Sequence, residues 1–171
     1  LGMNWRKMEF GADGIAAKYK EMVVDPIRFL AGKTIDRKAI FTGVLAPGSI
    51  SDKVADAYRK YLFKDKTLQD LPDDPPRFVF NATNVQSGAL WRFMKPYMRD
   101  WKVGEVVNPT VSLAEAVAAS SAFPPVLSPA ELELDDDEFT AGSGDSLQKP
   151  PYTTDVLLTD GGVYDNLGLE T

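Results

Sequence analysis

Asp155-Val156-Leu157-Leu158-Thr159-Asp160-Gly161-Gly162 is a short, mostly apolar run that ends on a carboxylate and then on two glycines. Its length and its Val, Leu and Thr content predict a buried β-strand. The glycines permit a tight turn with close backbone approach. In open α/β sheets, ligands bind outside the carboxyl ends of the strands, which is where this reading puts Asp160. A desolvated carboxylate at such a place can take the proton of a serine hydroxyl. The plainer reading is a turn, because Asp and Gly dominate turns.

Upstream, Arg77-Phe78-Val79-Phe80-Asn81-Ala82-Thr83-Asn84 predicts a second strand, apolar on both faces at its start and so suited to the middle of a sheet. Gln86-Ser87-Gly88 turns the chain, and Leu90-Trp91-Arg92-Phe93 follows as the partner strand. Ser112-Leu113-Ala114-Glu115 is a capping box that opens a helix through Ala116-Val117-Ala118-Ala119. Phe123-Pro124-Pro125 ends it.

Residues 1–76 are expected to be mainly helical. Ile15, Ala16, Tyr19, Met22, Val23, Ile27 and Leu30 fall on one helical stripe. Asp25-Pro26 either interrupts that stripe or supplies the N-cap and first position of a second helix. Residues 39–48 form an apolar, Gly-containing connection, and another helix begins at Ser51. Residues 70–76 make a Pro- and Asp-rich loop. Residues 131–154 are acidic and rich in Gly, Ser and Pro, and predict a flexible surface insertion. Helices alternating with apolar strands make the fold α/β.

The 171 residues suit one domain or most of one, with ordinary fractions of apolar (44%) and charged (26%) residues. A net charge of -6 opposes nucleic-acid binding and gives no help on an anionic membrane, though apolar docking to a lipid interface stays open. No apolar run approaches the roughly 20 residues of a membrane span, and nothing at Leu1 resembles a signal peptide. Cysteine and histidine are both absent. Disulfides, thiolate or imidazole metal sites, Cys nucleophiles and a Ser-His-Asp triad therefore cannot come from these residues. Hydrolytic chemistry here needs a carboxylate or Lys base. No metal and no cofactor is expected.

Three segments in order resemble the patatin-like phospholipase family. Val79-Phe80-Asn81-Ala82-Thr83-Asn84-Val85-Gln86-Ser87-Gly88 is similar to its strand and turn, with Trp91 and Phe93 at its aromatic positions. Residues 113–125 resemble its Ala/Ser-rich helix running into prolines, and residues 158–168 its Asp-Gly-Gly box. Residues 1–76 fit more loosely, as the helices that follow the nucleophile. The resemblance implies a three-layer α/β/α sandwich and cleavage of lipid acyl esters by a Ser–Asp dyad. Asp160 is then the base, with Gly161 and Gly162 as its supporting turn.

That dyad needs no histidine. The serine is expected in a Gly-x-Ser-x-Gly elbow, and the oxyanion hole in a Gly-rich turn near the start of the domain. No such elbow occurs in the sequence, and Gly142-Ser143-Gly144 lacks its spacing. Residues 1–171 are thus expected to be a single partial domain that begins just after the nucleophile. Its partners are the missing N-terminal half and a lipid or acyl-ester substrate.

Asn81, Asn84, Ser120 and Ser121 are possible pocket-lining residues. For the two amides the competing reading is satisfaction of backbone groups, and for the two serines it is helix packing. Asp165 is a second carboxylate near the box, or a helix cap. Trp91, Phe93 and Trp101 contact acyl chains or pack in the core. Asp135-Asp136-Asp137-Glu138 lacks the order of a calcium loop and reads as a solvated charge run. Two other functions stay open: a non-catalytic α/β binding module, and an esterase with a substitute nucleophile in this chain.

Overall fold

The structure is a computed structural model that describes residues 5–32, 50–73, 75–167 and 169. Residues 39–48 and the first four residues lie outside the described residues, as do Asp74 and Gly168.

The sheet orders its six strands β4-β3-β2-β1-β6-β5, with every neighbouring pair antiparallel. They are β1 (Phe80–Asn84), β2 (Ala89–Phe93), β3 (Tyr97–Asp100), β4 (Gly104–Val107), β5 (Ala130–Glu133) and β6 (Asp155–Asp160). Strand β1 is central, as its two-sided apolar start requires, and lies between β2 and β6. The expectation of an α/β fold holds.

Alternation sets which side of each strand is buried. Ala82, Trp91, Phe93, Met98, Val156 and Leu158 all enter the core. Trp91 and Phe93 are fully buried, their ring centroids 6.2 Å apart, so both are packing residues. Trp101 is half exposed.

The helices are α1 (Asp25–Ala31), α2 (Ile50–Tyr58), α3 (Leu113–Ser120) and the single turn α4 (Gly162–Asp165). Helix α3 lies against β1, β5 and β6, and α2 lies against α3. The buried Ala114, Ala116, Ala118 and Ala119 let α3 approach its neighbours closely.

The Ser112–Glu115 capping box forms as the sequence requires. The Glu115 N–H donates to Ser112 Oγ at 3.1 Å, and the Ser112 N–H donates to Glu115 Oε2 at 3.1 Å. Ser112→Ala is expected to cost about 1 kcal/mol, read as a shift in the urea midpoint at constant slope.

The opening stripe departs from its reading. Within the stripe helical backbone begins at Tyr19, with a π turn (Lys20–Val24) that runs into α1, while a separate 3-10 turn (Trp5–Met8) precedes the stripe. Pro26 sits in the first turn of α1, directly after the π turn, and the helical run continues through it. Ile15, Tyr19 and Ile27 are exposed.

The acidic stretch after Ala130 is more structured than its composition suggests. Ala130–Glu133 is an edge strand paired with β6, its residues alternately buried and exposed. Phe139 is buried and bridges to Val106 of β4. The Thr140 N–H donates to the Glu105 carbonyl at 2.8 Å, and the Glu105 N–H donates to Ser143 Oγ at 2.8 Å. The connection between β5 and β6 therefore reaches back to the opposite edge strand. It covers that edge.

Candidate active site

Asp160 closes β6, directly across from Ala82 of the central strand. Its main chain is fixed on both sides. The Asp160 N–H donates to the Ala122 carbonyl at 3.0 Å, just past the end of α3. The same carbonyl accepts the Thr159 hydroxyl at 2.9 Å. The Asp160 carbonyl accepts the Thr83 hydroxyl at 2.9 Å, and Thr83 Oγ1 in turn accepts the Tyr164 N–H at 3.2 Å.

The carboxylate itself is held by one oxygen. The Gly162 N–H donates to Oδ1 at 2.7 Å. Among the described residues nothing donates to Oδ2, and no Lys or Arg comes within ion-pair distance of it. Lys149 is the sole basic residue after Lys102 in the sequence, so this half of the chain offers little to neutralise it. One lone-pair set is anchored and the other stays open to a donor.

The two glycines have different tasks. A Cβ on Gly161 would stand 2.4 Å from the Asn81 carbonyl oxygen and 2.8 Å from its carbon, so the turn passes against the backbone of the central strand. Only glycine fits there. A Cβ on Gly162 would meet side-chain atoms instead, Asn166 Oδ1 at 2.9 Å and Asp160 Oδ1 at 3.0 Å.

Of the other candidate residues, some gather around Asp160 and some do not. Asn81 lies beside Gly161, and its Oδ1 is buried with no hydrogen-bond partner among the described residues. The Ser120 carbonyl accepts the Gly161 N–H at 3.4 Å. The Ser121 hydroxyl bonds back to the Val117 carbonyl at 2.8 Å, a helix-packing role that takes it away from any base. Asn84 sits at the far end of β1, fully buried, where its Oδ1 accepts the Gln86 and Ser87 N–H groups and shapes the β1–β2 turn. The Asp165 N–H donates to the Gly161 carbonyl at 3.0 Å within α4.

A family model, Patatin-like phospholipase, matches residues 12–171. This chain belongs to the patatin-like phospholipase family. Searches of the curated proteins and of the solved structures return no match. At the level of the family, the chemistry is hydrolysis of lipid acyl esters.

In this patatin-like chain, both segments that hold Asp160 carry exposed apolar side chains. Phe123 and Val126 stand on one, and Val163, Tyr164 and Leu167 on the other, Leu167 at 77% exposure. The cavities of about 490 Å³ (around Glu131, Leu132 and Glu133) and about 320 Å³ (around Leu71, Phe78 and Met94) do not include Asp160. Exposed apolar side chains thus flank Asp160 along the chain, and Asp160 lines neither cavity. Among the described residues no helix is long and apolar enough to cross a membrane.

The sequence reading passed over Thr83, Thr159 and the Ala122 carbonyl. A β-branched hydroxyl in a central strand carries no local mark of such a role, because its partners lie 77 and 81 positions away.

Proposed function

We propose that this chain supplies the base of a Ser–Asp dyad in a lipid acyl hydrolase, with Asp160 as that base. The nucleophilic serine and the oxyanion hole would come from sequence upstream of Leu1. What supports the reading is the state of the carboxylate: Oδ1 is pinned by the Gly162 N–H at 2.7 Å, while Oδ2 faces no donor among the described residues. A serine hydroxyl placed at Oδ2 would give up its proton to Asp160 as its oxygen attacks the acyl carbonyl. The exposed Phe123, Val126, Val163 and Tyr164 offer the apolar surface on which the serine-bearing half would seat, with the acyl substrate held between the two.

On this account residues 1–171 alone do not turn over acyl esters. Joining them to the upstream half of the same domain restores hydrolysis. Release of nitrophenol from short-chain nitrophenyl esters measures both. Turnover by the isolated chain, abolished in Asp160→Asn, would instead place a nucleophile within it. Silence of the joined protein would refute the hydrolase reading.

A further inference from the structure

We infer that Thr83 is a positioning residue for Asp160, a hydroxyl staple that sets the aim of the carboxylate; this rests on the hydrolase reading above. Thr83 is buried in the central strand, where the pairings Thr83↔Thr159 and Thr83↔Leu90 fix its register on both sides. Its Oγ1 donates to the Asp160 carbonyl at 2.9 Å and accepts the Tyr164 N–H at 3.2 Å, a donor it shares with the Gly161 carbonyl, also at 3.2 Å. One hydroxyl thus joins the residue before Gly161-Gly162 to the helical turn after them.

The effect on the carboxylate follows from what else holds it. Asp160 Oδ1 is anchored by the Gly162 N–H, so the direction of the carboxylate depends on where residue 162 lies relative to residue 160. The Ala122 carbonyl holds the main chain of residue 160, but it does nothing for residues 162–164. Thr83 fixes both ends of the Gly161-Gly162 segment to one atom. A β-branched side chain is suited to this, because its χ1 is already restricted and little rotamer freedom is lost in making the bonds. Valine keeps the shape and the branching but removes donor and acceptor together. Serine keeps the hydroxyl.

Two measurements test the staple. In the chain itself, amide hydrogen exchange of residues 162–164 is expected to quicken about tenfold or more in Thr83→Val and to return towards wild type in Thr83→Ser, with the β2–β3 amides unchanged. In the protein joined to its upstream half, Thr83→Val is expected to lower kcat by roughly tenfold to a hundredfold with KM within about twofold, at temperatures well below its Tm, and Thr83→Ser to recover most of the loss. Unchanged exchange at 162–164 in Thr83→Val would overturn the staple. A wild-type kcat in that variant would overturn its positioning role, as would equal losses in Thr83→Val and Thr83→Ser. A joined wild-type protein without turnover would instead refute the hydrolase reading, and the exchange result would still decide the staple.

Discussion

Asp160→Asn, in the full domain proposed above, with this chain joined to a serine-bearing upstream half, is expected to lower kcat for ester hydrolysis by roughly 10³-fold while changing Tm little. The amide has nearly the shape of the carboxylate, and its oxygen can still accept the Gly162 N–H that Oδ1 accepts at 2.7 Å. The main-chain bonds of residue 160 to Ala122 and Thr83 do not involve the side chain and survive the exchange. What is lost is the capacity to take up a proton, together with the negative charge and the second acceptor oxygen. The measurement is a steady-state rate on nitrophenyl esters beside a thermal melt of the same samples. A loss of activity matched by a loss of folding would argue for a structural carboxylate. A wild-type rate would remove Asp160 from the chemistry.

Gly161→Ala is expected to be the most disruptive change among the residues around Asp160, costing about 3 kcal/mol, or a fall in Tm of roughly 6–12 °C for a chain of this size. Its new Cβ would stand 2.4 Å from the backbone oxygen of Asn81, an atom fixed in the central strand and unable to give way. Either the turn moves off the sheet, carrying Asp160 with it, or β1 shifts against β2 and β6. Gly162→Ala provides the control. Its Cβ meets side-chain atoms, Asn166 Oδ1 and Asp160 Oδ1, and no backbone, so it should lose less stability. Thermal melts of the two variants compare these costs directly. Equal costs would mean that the close approach of residue 161 to β1 does not shape the site.

Why some of this was legible and some was not follows from the reach of each signal. The strand ending at Asp160, the β1–β2 hairpin and the capped start of α3 depend on neighbours a few residues away, and those patterns survive in the sequence. Strand β5 also carried a local signal. Ala130, Glu131, Leu132 and Glu133 alternate buried and exposed, but the acidic run that follows hid the period of two. Strands β3 and β4, four residues each, are too short to stand out, and Arg99, Asp100 and Glu105 break their apolar character.

The stripe from Ile15 to Leu30 misled for a different reason. Its spacing is helical, yet in the described structure Ile15 lies ahead of the helix and several of its members face outward. The site divides in the same way. Asp160 and its glycines are one contiguous motif, whereas Thr83 and Ala122 reach it only through strand pairing and the return of the chain after α3.

The most direct test is a crystal structure of this chain together with the upstream half proposed for its domain, read for the distance from Asp160 Oδ2 to the nearest serine Oγ. A Ser–Asp dyad predicts an upstream serine within about 2.6–3.2 Å of that oxygen, at the head of a helix. An Oδ2 turned to bulk water, or occupied by a Lys or Arg with no hydroxyl in reach, would contradict it.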